Sequence, residues 1–143
     1  MTDNNLVFVD SNYFIALFNS SDALHEQAKE LAKRIAKEES ILYISNYVEL
    51  EILTVLSQRV GRAAANAAAN ILSDDQHIKR VFISEELHSS SLQTFRVIES
   101  KNISLVDCSI LVTLKYTGIK KLLTFDITNF KPLREQFNFS IVG

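Results

Sequence analysis

Four acidic residues stand in apolar stretches of the sequence, where carboxylates are unusual. Asp10 follows the run LVFV, and Asp126 follows KLLTF. Asp107 lies within SLVDCSILV, and Glu51 lies within the helical pattern NYVELEILTVL. No lysine or arginine lies within four residues of Asp10 or Asp107, so no neighbouring cation neutralises them. These residue types predict a site whose chemistry depends on carboxylates.

The repulsion within such a cluster indicates what it must bind. Two carboxylates about 6 Å apart repel by roughly 3 kcal/mol at an effective dielectric constant of about 20, so four would repel by about 10–15 kcal/mol in total. The whole stability of a small domain is about 5–15 kcal/mol. The carboxylates must therefore take up protons, lie further apart, or bind cations. Oxygen ligands suit Mg²⁺ or Mn²⁺, and these ions activate water for attack on phosphodiesters.

Alternating strand and helix patterns would bring these acids to one edge of a sheet. Apolar runs predict strands at 6–9, 41–44, 78–83 and 121–125, and an edge strand at 137–142. Helical patterns lie between them, with Asp22 and Ser45 as predicted N-caps of two helices. This order predicts an α/β fold with a mostly parallel sheet of four to five strands and helices on both faces. Ligands of such sheets bind outside the carboxyl ends of the strands.

Length and composition limit the remaining possibilities. The chain has 143 residues, 47% of them apolar and 22% charged, with a formal net charge of −2, which predicts one globular domain over residues 1–143. A single cysteine excludes an intrachain disulfide framework and a CxxC zinc site. The N-terminus lacks the basic start of a signal peptide, and no run reaches the roughly 20 apolar residues of a membrane span. We therefore expect a cytoplasmic protein without membrane contact.

Three segments resemble the PIN domain, and in particular the VapC-type toxin ribonucleases of toxin–antitoxin pairs. LVFVDSNYFIALFN resembles the first strand of the family, its metal-binding Asp and the following helix. ISNYVELEILTVLSQRVG resembles the helix that carries the acidic Glu. SLVDCSILVTLKYTGIKKLLTFDITNF resembles the segment with the third and fourth acids. The resemblance implies a single PIN-like domain of three layers.

The resemblance also implies roles for individual residues. The implied catalytic residues and metal ligands are Asp10, Glu51, Asp107 and Asp126. Asn12 and Thr124 match polar positions that support the acids in the family. Glu49 is an alternative to Glu51 as the second acid. The two glutamates point about 200° apart on a helix, so only one of them can face the site.

The activity implied by the resemblance is Mg²⁺-dependent endonucleolytic cleavage of RNA by metal-activated water, with Mn²⁺ as a possible substitute. Family members are toxins of type II toxin–antitoxin pairs and are typically homodimers. A small antitoxin inhibits them, often by inserting an arginine among the acids. The expected partners are therefore an RNA substrate, a cognate antitoxin and a second copy of the chain.

Two other functions remain open at the level of the sequence. Asp10 would suit an aspartyl-phosphate phosphotransferase or phosphatase, because it follows the first strand. Enzymes of the haloacid dehalogenase type need a second Asp two residues later, however, where this chain has Asn12. The third possibility is a catalytically inactive PIN-fold binding module, against which the presence of all four acids argues.

Overall fold

A computed structural model describes residues 5–143 and contains a five-stranded sheet; residues 1–4, at the start of the predicted domain, lie outside the described part. All its strand pairs are parallel, in the order β3-β2-β1-β4-β5. The strands are β1 (Leu6–Val9), β2 (Ile41–Ser45), β3 (Ile78–Val81), β4 (Lys121–Leu123) and β5 (Ser140–Val142). The predicted α/β fold is confirmed, and β5 forms an edge of the sheet.

Helices connect the strands and cover the sheet. They are α1 (Ser11–Phe18), α2 (His25–Lys37), α3 (Asn46–Arg59), α4 (Arg62–Asp74), α5 (Glu85–Val97), α6 (Leu105–Thr117), α7 (Ile127–Phe130) and α8 (Arg134–Phe137). The chain moves from β1 through β2 to β3 in one direction across the sheet, and from β3 through β4 to β5 in the other. Because such crossovers are right-handed, α1–α4 cover one face and α5 and α6 the other. Within residues 5–143, no helix combines the length and apolar character needed to cross a bilayer.

The central strand β1 and its neighbour β4 are buried on both faces. Phe8 and Val9 of β1 and Leu122 and Leu123 of β4 are all completely buried. Burial of each such side chain stabilises the fold by about 1.5–3 kcal/mol. This packing explains why these strands consist of continuous apolar runs, and it holds the ends of β1 and β4 side by side.

One of the two predicted helix caps is correct. The Ser45 hydroxyl accepts from the backbone N–H of Val48 at 3.1 Å and begins α3. The prediction for Asp22 is wrong, because α2 begins at His25 after Leu24. Asp22 Oδ1 instead accepts from the backbone N–H of Leu24 at 2.9 Å, in a turn before the helix. Aspartate favours turns as well as helix N-caps because its side chain can form this bond to the backbone two residues later.

Several strands are shorter than predicted. β3 ends at Val81, and β4 ends at Leu123, before the predicted residue 125. Beyond β4, the backbone N–H of Phe125 donates to the Asn12 side chain at 3.2 Å and not to a neighbouring strand. β5 begins only at Ser140, because Phe137 still belongs to α8. The backbone N–H of Thr124 still donates to the carbonyl oxygen of Val142 at 3.4 Å, and from Phe125 onwards a polar side chain replaces the neighbouring strand as the partner.

Candidate active site

The carboxyl ends of β1 and β4 lie next to each other where the connections of the sheet diverge. β1 leads towards β2 on one side, whereas β4 leads to β5 on the other. Parallel sheets bind ligands in the crevice at such a switch point. Asp10 directly follows β1, and its backbone N–H donates to the carbonyl oxygen of Leu123 at 2.9 Å. This bond holds Asp10 against the end of β4.

The Asp10 carboxylate is bound by uncharged donors. The side chain is 4% exposed. Its Oδ1 accepts from the backbone N–H of Ser11 at 2.8 Å, which also caps α1. Its Oδ2 accepts from the Thr124 hydroxyl at 2.8 Å, and the same hydroxyl oxygen accepts from the backbone N–H of Asp126 at 3.0 Å. Thr124 thus connects the first acid to the fourth.

Asn12 belongs to the same network. Its Oδ1 accepts from the backbone N–H of Phe125 at 3.2 Å, and its Nδ2 donates to Thr124 Oγ1 at 3.4 Å. Asn12 and Thr124, the two supporting residues expected from the sequence, therefore bind each other and fix the turn that leads to Asp126.

The structure separates the two glutamates of α3. The Ser11 hydroxyl donates to Glu51 Oε1 at 2.5 Å, which brings Glu51 beside Asp10. Arg80 Nε donates to Glu49 Oε1 at 2.8 Å, and the other Glu49 oxygen accepts from Arg80 Nη2. Glu49 is therefore neutralised by an ion pair with β3, whereas Glu51 lies with the other acids.

Asp107 and Asp126 are also held by neighbouring polar groups. Asp107 Oδ2 accepts from the backbone N–H of Ser104 at 2.9 Å, and the Ser104 hydroxyl accepts from the backbone N–H of Asp107 at 3.1 Å. This capping box begins α6. Asn129 Nδ2 donates to both carboxylate oxygens of Asp126, at 2.9 and 3.0 Å. Both acids are half-buried.

The acids are close enough to affect one another's ionisation. Burial raises the pKa of Asp10 to about 7; the hydrogen bonds from Thr124 and Ser11 oppose this shift, and the charges of Asp107 and Glu51 add to it. Burial also raises the pKa of Asp107, and the charges of Asp126 and Glu51 raise it further, against the hydrogen bonds from Ser104. Asp107 is thus coupled to each of the other three acids.

The donor set suits a hard divalent cation. All four side chains offer carboxylate oxygens, and within residues 5–143 none of them forms an ion pair with Lys, Arg or His. Among residues 5–143, no three His, Cys, Asp or Glu side chains already lie close enough together to bind one metal ion. Mg²⁺ does not need one, because it usually binds through one or two carboxylates and keeps several waters. The site therefore fits Mg²⁺ or Mn²⁺ in its chemistry.

The sequence interpretation missed three residues of this network. Ser11 bridges Asp10 and Glu51, Ser104 binds Asp107, and Asn129 binds Asp126. Ser104 has a sequence signal, since Ser-x-x-Asp before an apolar run is typical of a capping box. Asn129 follows Asp126 at a spacing of three, which places neighbours on one helix face. Nothing in the local sequence indicates the bond from Ser11 to α3.

Two other chemistries find little support in the geometry. Burial, and then the charge of Asp107, raise the pKa of the Cys108 thiol to about 11, so a thiolate nucleophile is scarce at neutral pH. The Asp10 oxygens both accept hydrogen bonds, and Asn12 occupies the position where an aspartyl phosphatase needs a second carboxyl. This arrangement argues against Asp10 as a nucleophile.

The fold and the acids define a class of proteins, and comparison with known families identifies the same class. Residues 7–133 match the PIN domain, and the chain belongs to this family. A curated relative is the 23S rRNA-specific endonuclease VapC20 of Mycobacterium tuberculosis. It is 31% identical over 122 residues, which cover 85% of this chain and 89% of the relative.

Solved structures agree with this assignment. The crystal structure of M. tuberculosis VapC20, a sarcin-ricin loop cleaving toxin, matches with a TM-score of 0.76 and 28% identity over 85% of this chain and 90% of that one. A toxin–antitoxin complex from Klebsiella pneumoniae matches with a TM-score of 0.63 at 19% identity, covering 96% of both chains. VapBC2 of Rickettsia felis, bound to a promoter DNA fragment, matches at 0.61 and 17%, covering 96% and 97%. The last two show the shared fold alone.

Proposed function

We propose that this chain is a Mg²⁺-dependent endoribonuclease and the toxin of a type II toxin–antitoxin pair. The observation that carries the proposal is the group of four coupled carboxylates at the switch point of the sheet, without a cationic partner among residues 5–143. The proposed metal ligands are Asp10, Glu51, Asp107 and Asp126. Membership of the PIN family and the endonuclease relative support the same activity.

The residues of this chain would act by holding the carboxylates in place for the metal. Bound Mg²⁺ supplies Lewis-acid chemistry, which lowers the pKa of water and offsets charge on phosphate oxygens. Thr124 and the Ser11 backbone fix the Asp10 oxygens, and Asn129 fixes those of Asp126. Fixed ligands keep their geometry during the reaction, which is the source of electrostatic stabilisation in a prepared site.

The proposed substrate is an RNA phosphodiester. The VapC20 relative is specific for 23S rRNA, and 23S rRNA is therefore the first RNA to test with this chain. An RNA substrate also favours the cytoplasm as the location of the protein.

A small antitoxin and a second copy of the chain are the proposed protein partners. An antitoxin arginine placed among the carboxylates would offset the same repulsion that the metal offsets. Co-purification with the product of the neighbouring reading frame, and mass measurement by light scattering, test the two partners separately.

The test of the activity uses total bacterial RNA, incubated with purified chain in Mg²⁺ or in EDTA, with the 5′ ends of the products mapped. We expect discrete cleavage only in Mg²⁺, and a loss of about a hundredfold or more in Asp10→Asn, as when a group that stabilises charge in the transition state is removed. Glu49→Gln is the matched control, because its carboxylate pairs with Arg80 away from the cluster. Cleavage in EDTA, or cleavage by Asp10→Asn at the parent rate, would contradict the proposal.

A further inference from the structure

A groove runs along the C-terminal end of α5, and one of its lining residues, Asn129, binds Asp126 of the acid cluster. It has a volume of about 390 Å³ and lies between α5 and the segment that follows Asp126. We define the α5 groove by six lining residues: Thr94, Val97, Ser100, Thr128, Asn129 and Gln136. Its volume falls within the range of small-molecule pockets, about 300–1,000 Å³.

Both walls of the α5 groove lead to an acid of the candidate active site. On one wall, Asn129 Nδ2 donates to both carboxylate oxygens of Asp126, at 2.9 and 3.0 Å. The other wall includes Ser100, and the same loop continues to Ser104, which binds Asp107. A molecule that contacts Asn129 in the α5 groove would therefore lie one side chain away from Asp126, a proposed metal ligand.

The lining of the α5 groove suits an uncharged flat group with polar edges. Hydroxyl and amide side chains provide donors and acceptors, and apolar surface comes from Val97, Ile98, Pro132, Leu133 and Phe137. Of these, Val97 is 74% exposed. Asn129 uses its Nδ2 to bind Asp126, which leaves its Oδ1 as an acceptor for a ligand. Among the described residues that line the groove there is no Lys or Arg, whereas Glu99 is present. This charge distribution argues against a phosphate in the groove.

We propose that the α5 groove holds one unpaired nucleobase of the RNA substrate, next to the phosphate that is cleaved. The proposal rests on the ribonuclease function proposed above. Proteins that bind an unpaired base hold its faces against aromatic or apolar side chains and bind its edge by hydrogen bonds. Val97 offers a surface for the face of the base, and Asn129 Oδ1 and the Gln136 amide offer partners for its edge. The groove thereby selects the nucleotide beside the cleaved bond.

The experiment compares two groove variants with a matched control on the same helix. Thr94→Phe fills the groove without altering an acid, and Val97→Asp adds a negative charge at an exposed position where folding tolerates it. Gln93→Phe adds the same ring as Thr94→Phe at an exposed position outside the groove. We expect kcat/KM for RNA to fall about tenfold or more in both groove variants, the loss expected for one base contact. The control should keep the parent value.

A second measurement separates the groove from the acids. The rise in Tm on addition of Mn²⁺ should be the same in all three variants and the parent. Equal kcat/KM values in the groove variants and in Gln93→Phe would overturn the proposal. So would a lost Mn²⁺ response, because the damage would then lie in the acid cluster, and so would lost antitoxin binding with unchanged RNA cleavage. A parent chain that does not cleave RNA in Mg²⁺ would instead contradict the proposed function.

Discussion

At the scale of single residues, hydrogen bonds hold the Asp10 carboxylate in place, but its burial makes the negative charge unfavourable for folding. The backbone of Ser11 and the hydroxyl of Thr124 hold its oxygens, but neither donor carries a positive charge. Burial, together with the charges of Asp107 and Glu51, raises its pKa to about 7. In the chain without metal, ionised Asp10 therefore destabilises the folded state, and a bound cation would reverse this effect.

The first prediction concerns stability and pH in EDTA. The pKa of Asp10 rises from 3.8 to about 7 on folding, so between these values the folded chain binds more protons than the unfolded chain. The free energy of unfolding should therefore decrease as the pH rises from about 4 to about 7. Urea denaturation at pH 5 and pH 7.5 measures this change. Asp10→Asn should show a smaller decrease and exceed the parent in stability at pH 7.5; equal decreases would count against the raised pKa.

The second prediction concerns the hydroxyl that connects two acids. Thr124→Val removes the bond to Asp10 Oδ2 and the acceptor for the backbone of Asp126. We expect the rate of RNA cleavage to fall about 10–100-fold, the usual effect of losing a group that orients a metal ligand. Thr113→Val is the control, because Thr113 is equally buried and its hydroxyl has no hydrogen-bond partner among the described residues. A similar loss in both variants would show a packing effect only.

At the scale of the secondary-structure elements, α3 carries two glutamates with different contacts: Glu51 lies with the other acids of the candidate site, and Glu49 forms an ion pair. Two residues of spacing turn Glu49 and Glu51 about 200° apart. One side chain therefore meets Arg80 of β3, while the other meets Ser11 of α1. The two glutamates can make these separate contacts because β2 and the Ser45 cap fix where α3 begins, and therefore the direction in which each side chain points.

The third prediction separates the two glutamates. Glu49→Gln weakens a partly buried bidentate ion pair and should lower the free energy of unfolding by about 1–3 kcal/mol, with little effect on cleavage by the folded protein. Glu51→Gln should preserve stability but reduce Mn²⁺ affinity about tenfold or more. Urea denaturation and Mn²⁺ titration measure the two effects. If Glu49→Gln instead lowered the Mn²⁺ affinity and Glu51→Gln did not, Glu49 would be the metal ligand.

At the scale of the whole molecule, the acids come from separate segments on both sides of the sheet. Asp10 and Asp126 follow β1 and β4, Glu51 comes from α3 on one face, and Asp107 comes from α6 on the other. Their side chains come close enough to affect one another's ionisation only in the folded chain. A cation that these carboxylates would hold should therefore bind the folded state alone.

The fourth prediction follows from this difference between folded and unfolded chain. Mn²⁺ or Mg²⁺ at about 100 times its Kd should stabilise the parent by about 2.7 kcal/mol. For a chain of this length the rise in Tm is roughly 5–10 °C. Differential scanning fluorimetry, with EDTA as the reference, measures it. Asp107→Asn should show a smaller rise, and a rise of equal size in that variant would exclude Asp107 as a ligand.

The sequence by itself was sufficient to predict the parallel sheet, most helices and the segments that carry the acids. Hydrophobic periodicity and caps such as Ser45 act within a few residues, so they can be recognised without the fold. The spacing of Glu49 and Glu51 also predicts that only one of them can face the site. The prediction of Asp22 as a helix N-cap is wrong because an aspartate side chain forms the same kind of bond in turns. The role of the acids as metal ligands stays a prediction.

Only the tertiary structure decided which side chains meet. Thr124 binds Asp10 across 114 residues of sequence, and Ser11 binds Glu51 across 40. The contact of Glu51 with Ser11, the ion pair of Glu49 with Arg80 and the walls of the α5 groove all depend on how α3, α5 and β4 pack. Such contacts arise from the packing of distant segments, and the local patterns of a single sequence carry no record of them.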